Sequence, residues 1–393
     1  MDPCRSSPRT TMRGTDAKRM MRTTDYLTWF KDLDVRLQDR QDAHLLMSSN
    51  VYEPLDLLER HVRENWEELR RLQAYNNDWG HPVLLERIAA RYGVKPGNIL
   101  LTNGCTNATY LAIISHANRG DTVVCETPAY QPMWQTAERI GARIKWLKRR
   151  PPRYGVDPDE LARLVDRKTS LVVLTNLHNP SGAYLDRREL KDIAAAVRRR
   201  NKRTRILMDE VFREFAPGKH VPASTVDPIY ISTGSLSKVY GLSHLECGWI
   251  MADAPTVKRI WPWFVLSDGN GSRYLESLSA VVFAHLDEYL DRSLGIVQQN
   301  RTALCQAMDP LIADGLIEGN VPDRGCIWFP AIAGLRDTDR LVRSLATKHG
   351  IYVVPGKHFG DPARVRIGFG NRPELARRAI GRLAEALFDF KRM

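Results

Sequence analysis

The sequence predicts an α/β fold, in which a mostly parallel sheet is covered by helices and accompanied by a smaller α+β domain. Three observations lead there. The chain has 393 residues, more than one simple core usually contains. Between about residues 83 and 233, short apolar runs alternate with helical patterns, which is typical of βαβ units. Beyond about residue 275 the alternation is replaced by a long helical pattern and then a smaller α+β section.

The predicted elements follow one another in this alternation. Helices are predicted at residues 83–92, 107–117, 132–141, 158–165 and 186–200. Strands are predicted at residues 98–102, 122–126, 142–147, 170–175, 205–209 and 229–233. Strands joined through helices in this way form right-handed crossovers, which produce a parallel sheet with helices on both faces.

The two ends of the chain have other patterns. Residues 26–71 are helical, with a break near 48–50, while a long helix (274–309) precedes strands near 326–330 and 364–368. We expect a disordered basic arm (1–24), an N-terminal segment joining the small domain (25–70), a large domain (71–275) and a small C-terminal domain (276–393). A transit segment or an upstream extension would also explain the first residues.

Composition narrows the classes of function. The net charge is +12, and the basic run at 198–203 ends a helical pattern, where cations complement the helix dipole and face water. We therefore expect no nucleic-acid partner. No apolar run reaches the ~18–20 residues of a membrane helix, which predicts no membrane partner. The six cysteines are widely spaced, which argues against a metal site or disulfides and favours a reducing, cytoplasmic location.

Polar residues follow three predicted strands at the points where the strands end. They are Asn179, Asp209 and Lys238, separated by about one βα unit each. Ligands of open α/β sheets bind outside the carboxyl ends of the strands. We therefore expect these three side chains to line one edge of the sheet.

These residue types suit pyridoxal phosphate. Asp209 can pair with a protonated pyridine nitrogen, Asn179 can donate to the ring phenolate, and Lys238 can form an imine with the aldehyde. The phosphate needs N–H groups at a helix N-terminus. A turn between strand and helix at Gly104 supplies them, Ser235 and Ser237 add hydroxyls, and Tyr130 can stack on the ring.

In order along the chain, these motifs resemble the class I/II, fold-type I, aminotransferases over roughly residues 45–390. The resemblance implies a seven-stranded sheet, pyridoxal phosphate, and a homodimer with shared active sites. It also implies transfer of an amino group between an L-amino acid and a 2-oxo acid, by Schiff-base exchange at Lys238 and a 1,3-proton transfer. Asp209 and Lys238 would be catalytic. The implied binding residues are Tyr75, Gly104, Cys105, Thr106, Tyr130, Asn179, Asp209, Phe212, Ser235, Ser237 and Lys238 for the cofactor, and Arg366 with Asn179 for the substrate.

Two further hypotheses accompany this one. The runs at 352–360 and 366–369 also resemble capreomycidine synthase-like members of the family, which implies elimination and cyclisation, or oxidation, of a biosynthetic amino acid. A DNA-binding or regulatory module on the same fold is the other hypothesis. Residues 1–44 are too short for the extra domain such proteins carry.

Two positions depart from the family pattern. Glu246 stands where the family has an arginine that binds the cofactor phosphate. Three explanations are open. Another cation takes the place of that arginine, or Glu246 points away from the phosphate or is protonated, or cofactor binding is weakened. The last would make the chain a catalytically degraded relative. Phe212 stands where the family usually has a tyrosine that holds the ring phenolate.

Overall fold

A computed structural model describes residues 25–37, 43–74, 79–216, 218 and 221–391. The described residues up to 37 and those from 43 onward belong to two compact units. The first contains helix α1 (Asp25–Leu37). The predicted arm at 1–24 lies outside the described residues, and so does Tyr75. The predicted domain boundaries within the second unit stay a prediction.

The second unit opens with short elements and then alternates strands and helices. The opening elements are β1 (His44–Leu45), α2 (Leu55–Glu64), α3 (Trp66–Leu72) and α4 (Pro82–Tyr92). The alternating elements are β2 (Ile99–Asn103), α5 (Gly104–His116), β3 (Thr122–Thr127), α6 (Pro132–Arg139), β4 (Arg143–Lys148), α7 (Pro158–Leu164), β5 (Thr169–Thr175), α8 (Arg187–Arg200), β6 (Arg205–Asp209), α9 (Ala223–Val226), β7 (Tyr230–Ser235) and β8 (Cys247–Met251).

The central sheet has seven strands in the order β2-β8-β7-β6-β5-β3-β4. Six are parallel, and β8 runs antiparallel to both of its neighbours. The prediction of a mostly parallel, seven-stranded sheet is therefore confirmed. Strand β8 itself was not predicted, because its five apolar residues follow the Lys238 loop without a helix between them.

Both faces of this sheet are buried, which explains its near-continuous apolar strands. In β5, Leu171 belongs to a core formed with α5 and α10 (Ala254–Asp268), while its neighbour Val172 belongs to a core formed with α7 and α8. Successive strand residues point to opposite faces, so each strand contributes to two cores. The carboxyl edge of the sheet is thereby held on a rigid frame.

The remaining elements form the C-terminal part of the unit. They are α11 (Arg273–Ala284), α12 (Leu286–Ala313), β9 (Ile317–Glu318), β10 (Ile327–Trp328), β11 (Ala331–Ile332), α13 (Asp339–His349), β12 (Ile351–Tyr352), β13 (Val354–Pro355), β14 (Val365–Gly368) and α14 (Pro373–Lys391). Three small sheets result, β10-β14-β13, β11-β9 and β1-β12. The pairing of β1 with β12 ties the start of this unit to its C-terminal part.

One predicted helix differs. The single helix expected at 274–309 is two helices, α11 and α12, which meet at His285. His285 has φ −121° and ψ 19°, outside the helical region, and its N–H bonds the carbonyl of Val282 instead of continuing the helix. The helical periodicity on either side of His285 concealed this interruption.

Candidate cofactor and substrate site

Three parallel strands end side by side at the edge that carries the polar residues. Thr175 of β5 pairs with Asp209 of β6, and Asp209 pairs with Thr233 of β7. Lys238 follows the end of β7 by three residues, and Asn179 follows the end of β5 by four. The side chains expected to share one edge therefore lie at neighbouring strand ends.

Asp209 lies within hydrogen-bonding reach of the first turn of α5. The Cys105 thiol donates to Asp209 Oδ1 at 3.3 Å and lies equally far from Thr233 Oγ1, and the Val211 N–H donates to the same carboxylate at 3.0 Å. Burial raises the pKa of Asp209, and the Val211 N–H, the Cys105 thiol and Lys238 oppose that rise. A carboxylate in these surroundings is well placed to pair with a cation.

The Lys238 side chain retains some solvent exposure but is surrounded by protein. Burial lowers its pKa, the Arg366 guanidinium lowers it further, and Asp209 acts in the opposite direction. The Lys238 carbonyl accepts from Val51 N–H at 3.0 Å, which fixes the loop. A lowered pKa increases the neutral fraction of the amine, the form that attacks carbonyls and accepts protons.

Arg366, on β14, reaches the same place from the C-terminal part. It is 1% exposed. Its Nη1 donates to Asn179 Oδ1 at 3.2 Å, its Nη2 donates to the Met47 carbonyl at 2.9 Å, and its guanidinium lies 4.9 Å from the Phe359 ring centre. Because Asn179 Oδ1 accepts from Arg366, the Asn179 amide nitrogen is the atom left to donate elsewhere.

The turn at Gly104 has the geometry of an anion site. Gly104 has φ +75° and begins α5, and Asn103 before it provides no side-chain cap for the helix N–H groups. A Cβ on Gly248 of β8 would clash with the Gly104 backbone, so only glycine lets β8 pass this close. Thr106 is exposed in the same turn. The first N–H groups of α5 are therefore available to an anion.

Two carboxylates lie beside this turn, those of Glu246 and Asp268. Cys247 pairs with Asn103 across β8 and β2, which brings exposed Glu246 beside the Gly104 turn. Glu246 has φ +44°, a conformation that non-glycine residues rarely adopt. Asp268 accepts hydrogen bonds from Asn103 and Asn107 of the same turn. Among the described residues, neither Glu246 nor Asp268 forms an ion pair.

The other predicted cofactor residues differ in their burial and in the groups that they contact. Tyr130 follows β3, is partly buried and packs against the core of α5 and α10. Ser235 Oγ and Ser237 Oγ lie 2.6 Å apart. Phe212 is 3% exposed, and its ring stacks 6.4 Å from that of Phe215. A plain packing role therefore suits Phe212 as well as a functional one.

Sequence reasoning missed the segment at residues 46–52, which crosses the site. A Cβ on Gly241 would come within 2.7 Å of the Tyr52 carbonyl oxygen, and one on Gly368 or Gly370 would clash with the carbonyl of Ser48 or Asn50. These glycines leave room for the segment between the Lys238 loop and β14. Their presence after the Lys238 motif and around Arg366 was the signal in the sequence.

A buried ion pair beneath Asn179 was also missed. Arg149 Nη1 lies 2.8 Å from Glu126, and both side chains are almost fully buried. Thr175 donates from Oγ1 to Glu126 at 2.5 Å and accepts from the Asn179 N–H at 3.2 Å. This network positions Asn179, and nothing in the spacing of the chain indicated it.

The donor set fits pyridoxal phosphate. Asp209 offers a carboxylate for the pyridine nitrogen, Asn179 an amide N–H, Lys238 an amine of lowered pKa, and the Gly104 turn uncapped N–H groups for the phosphate. A mostly parallel sheet carrying this set at its carboxyl edge defines a pyridoxal phosphate enzyme of fold type I.

Comparisons with known proteins identify the family. The family model of aminotransferase class I and II matches residues 44–383, and the chain belongs to this family. Capreomycidine synthase of Streptomyces vinaceus is 34% identical over 310 residues, which cover 76% of this chain and 77% of that protein.

Two solved structures have the same fold. A PLP-dependent aminotransferase from Streptococcus suis is 25% identical with a TM-score of 0.82, covering 91% of this chain and 97% of that one. The PLP-dependent cyclase OrfR is 24% identical with a TM-score of 0.82, covering 92% of this chain and 96% of that one. Among the described residues, no helix is long and apolar enough to span a membrane.

Proposed function

We propose that the protein is a pyridoxal phosphate-dependent aminotransferase that acts on an L-amino acid and a 2-oxo acid. The observation that carries the proposal is the convergence of Asp209, Lys238, Asn179 and Arg366 on one sheet edge, with an uncapped helix N-terminus beside them. We place the enzyme in the cytoplasm, since the described cysteines are all free thiols.

In this proposal each residue has a separate task. When bound, pyridoxal phosphate supplies an aldehyde that reacts with amines and a ring that withdraws electrons from Cα. Lys238 Nζ takes the proton from the substrate Cα, and its lowered pKa keeps the amine neutral for this purpose. Asp209 holds the proton on the pyridine nitrogen, and the Asn179 amide donates to the ring oxygen.

Arg366 binds the substrate α-carboxylate. A guanidinium presents parallel N–H donors that match a carboxylate, and Asn179 and the Met47 carbonyl already fix its plane. The segment at 46–52 lies against this residue and against the Lys238 loop. We propose that it contributes to selecting the substrate side chain.

A homodimer completes the proposal. Large apolar side chains are exposed on and around α10, which is unusual for a surface that faces only water. They are Trp79, Trp263, Leu266 and Tyr274, and Trp79 stacks on Trp261. Asp268, at the end of the same helix, bonds the Gly104 turn. A second copy covering this surface would therefore border the cofactor phosphate.

Elimination with ring closure is the second candidate. The identity of 34% to capreomycidine synthase supports it. Both reactions begin when Lys238 takes the Cα proton, and they differ in where the electrons go next. A transaminase returns a proton to the cofactor side, whereas an elimination expels a group from the substrate side chain.

Product analysis with single amino acids tests the proposal. Transamination should give the 2-oxo acid and pyridoxamine phosphate in stoichiometric amounts in one half-reaction, seen by mass spectrometry. Elimination with ring closure keeps the amino group in a cyclic amino acid and forms no pyridoxamine phosphate, and simple elimination releases a 2-oxo acid with ammonia but likewise no pyridoxamine phosphate. Lys238→Ala should abolish turnover, and borohydride should attach the cofactor covalently to the unmutated protein alone. A protein that takes up no added cofactor would contradict both candidates.

A further inference from the structure

A second hollow lies at the opposite edge of the central sheet, where the parallel strands begin. Its walls come from the loops before β3, β5 and β6 and from the start of α10, and it encloses about 1110 Å³ including its mouth. Strand β5 spans seven residues between the two edges, or about 20 Å at the usual rise per residue. The hollow is therefore separate from the Lys238 site.

Positive charge predominates in this hollow. Its lining includes one carboxylate, that of Asp121. The cationic side chains of the lining are those of Arg167, Lys168, Arg203, Arg205 and Arg259. Asp253, outside the lining, pairs with Arg205 at 3.1 Å. A concave surface with this imbalance concentrates anions from solution.

Two of the guanidinium groups are held in place. Arg205 donates from Nη1 to the Pro228 carbonyl at 2.6 Å, and Arg259 donates from Nε to the Ser115 carbonyl at 2.7 Å. Groups fixed in this way lose little freedom when an anion binds. The hollow thus differs from the mobile charges on an ordinary helix surface.

The lining of the hollow adds a polar atom. Ser170 Oγ is buried and has no hydrogen-bond partner among the described residues. His116 lies nearby, and its pKa is lowered to about 4, mainly by burial and in part by Arg259 and Arg205. An unused hydroxyl in such a place is suited to an anionic oxygen.

We propose that this hollow binds a small molecule with two or more phosphate groups. Five cations against the two carboxylates of Asp121 and Asp253 leave a net charge of +3, which exceeds what one phosphate neutralises, and their convergence on one concavity suits a compact polyanion. Nucleic acid would instead be bound by cations arranged in a stripe that follows its phosphate backbone. This proposal does not depend on the reaction performed at Lys238.

Calorimetric titration of the protein loaded with pyridoxal phosphate tests the proposal at physiological ionic strength. The probes are tripolyphosphate, ATP, orthophosphate and a short single-stranded RNA, and the loaded cofactor keeps the Gly104 turn occupied. Arg167→Glu with Arg203→Glu is the test variant, since both side chains are exposed and neither belongs to the catalytic edge. Arg187→Glu with Arg188→Glu, at the far end of α8, changes the net charge equally.

Tripolyphosphate and ATP should bind, and orthophosphate should bind much more weakly. The test variant should weaken tripolyphosphate binding by at least about tenfold, and the control variant by much less. Equal weakening by both variants would show a general charge effect and overturn the proposal. Preferential binding of RNA would assign the surface to nucleic acid instead, and no binding of any probe would leave the hollow a solvated surface.

Discussion

The two ends of the candidate cofactor site differ in their charges. At the ring end, Lys238 lies between a carboxylate, Asp209, and a guanidinium, Arg366, and each affects its pKa. At the phosphate end, the uncapped start of α5 is flanked by Glu246 and Asp268. The charges at the ring end suit an electron-withdrawing cofactor, whereas those at the phosphate end place carboxylates near the dianionic cofactor phosphate.

In the proposed site, the ring end would determine catalysis and the phosphate end would determine how tightly the cofactor is held. In the proposed function, Asp209, Lys238, Asn179 and Arg366 would act on the substrate from the ring end, where the chemistry requires no compensation. At the phosphate end, binding depends on backbone N–H groups and on the helix dipole, together with whatever a second copy of the chain contributes. We therefore expect a competent enzyme that holds its cofactor less firmly than its ring end alone would suggest.

Among the variants at the two ends of the site, the one that removes the charge of Asp209 should have the largest effect on activity. Asp209→Asn keeps the shape of the side chain but no longer stabilises a cation at the pyridine nitrogen, so kcat should fall about 10²–10³-fold. Glu210→Gln is the matched control, because Glu210 is the adjacent carboxylate and binds Ala223 N–H instead. Steady-state rates with cofactor in excess measure both. Equal losses in the two variants would place Asp209 outside the catalytic group.

Arg366 should influence both the substrate and Lys238. Arg366→Met should raise KM about 10–100-fold, because the substrate carboxylate loses a bidentate partner. The same change removes a positive charge that lowers the pKa of Lys238, so that pKa should move back toward its ordinary value. The pH profile of the rate at which the apoprotein captures pyridoxal phosphate should then shift to higher pH, because only the neutral amine reacts.

Arg366→Lys separates these two effects. It keeps the charge and should leave the pH profile of cofactor capture in place, but it lacks the planar fork and should still raise KM. Stopped-flow absorbance across a pH series provides the measurement. If the profile of Arg366→Met coincides with that of the unmutated protein, Arg366 does not contribute to the Lys238 pKa.

Sequence reasoning reached the ring end more easily than the rest of the site. Asn179, Asp209 and Lys238 follow parallel strands, whose register brings their ends together, so spacing was enough. The segment at 46–52 depends on glycines that lie far apart in the chain, and the Glu126–Arg149 pair joins two strands through a buried contact. Such contacts come from tertiary packing, which periodicity does not encode.

Glu246 offers a direct test of the phosphate end. Glu246→Arg should tighten pyridoxal phosphate binding about tenfold, because a repulsive charge beside the turn becomes an attractive one in a solvent-exposed place. Glu246→Gln should give a smaller gain. Glu138→Gln, an exposed carboxylate on α6, is the control and should change nothing. The cofactor dissociation constant and its salt dependence are the measurements. An unchanged constant in Glu246→Arg would mean that this side chain does not face the phosphate.

Phe212 should give the smallest effect, and it tests how far the ring end extends. If the ring of the cofactor lies against Phe212, Phe212→Tyr places a hydroxyl near the ring oxygen, and the pH dependence of the cofactor absorbance should shift with kcat changing by about threefold. If Phe212 serves only to pack against Phe215, the new hydroxyl is buried without a partner. The protein should then lose about 1–3 kcal/mol of unfolding free energy with no spectral change. Thermal unfolding and absorbance titration on the same sample distinguish the two outcomes, because a functional position changes the spectrum and a packing position changes the stability.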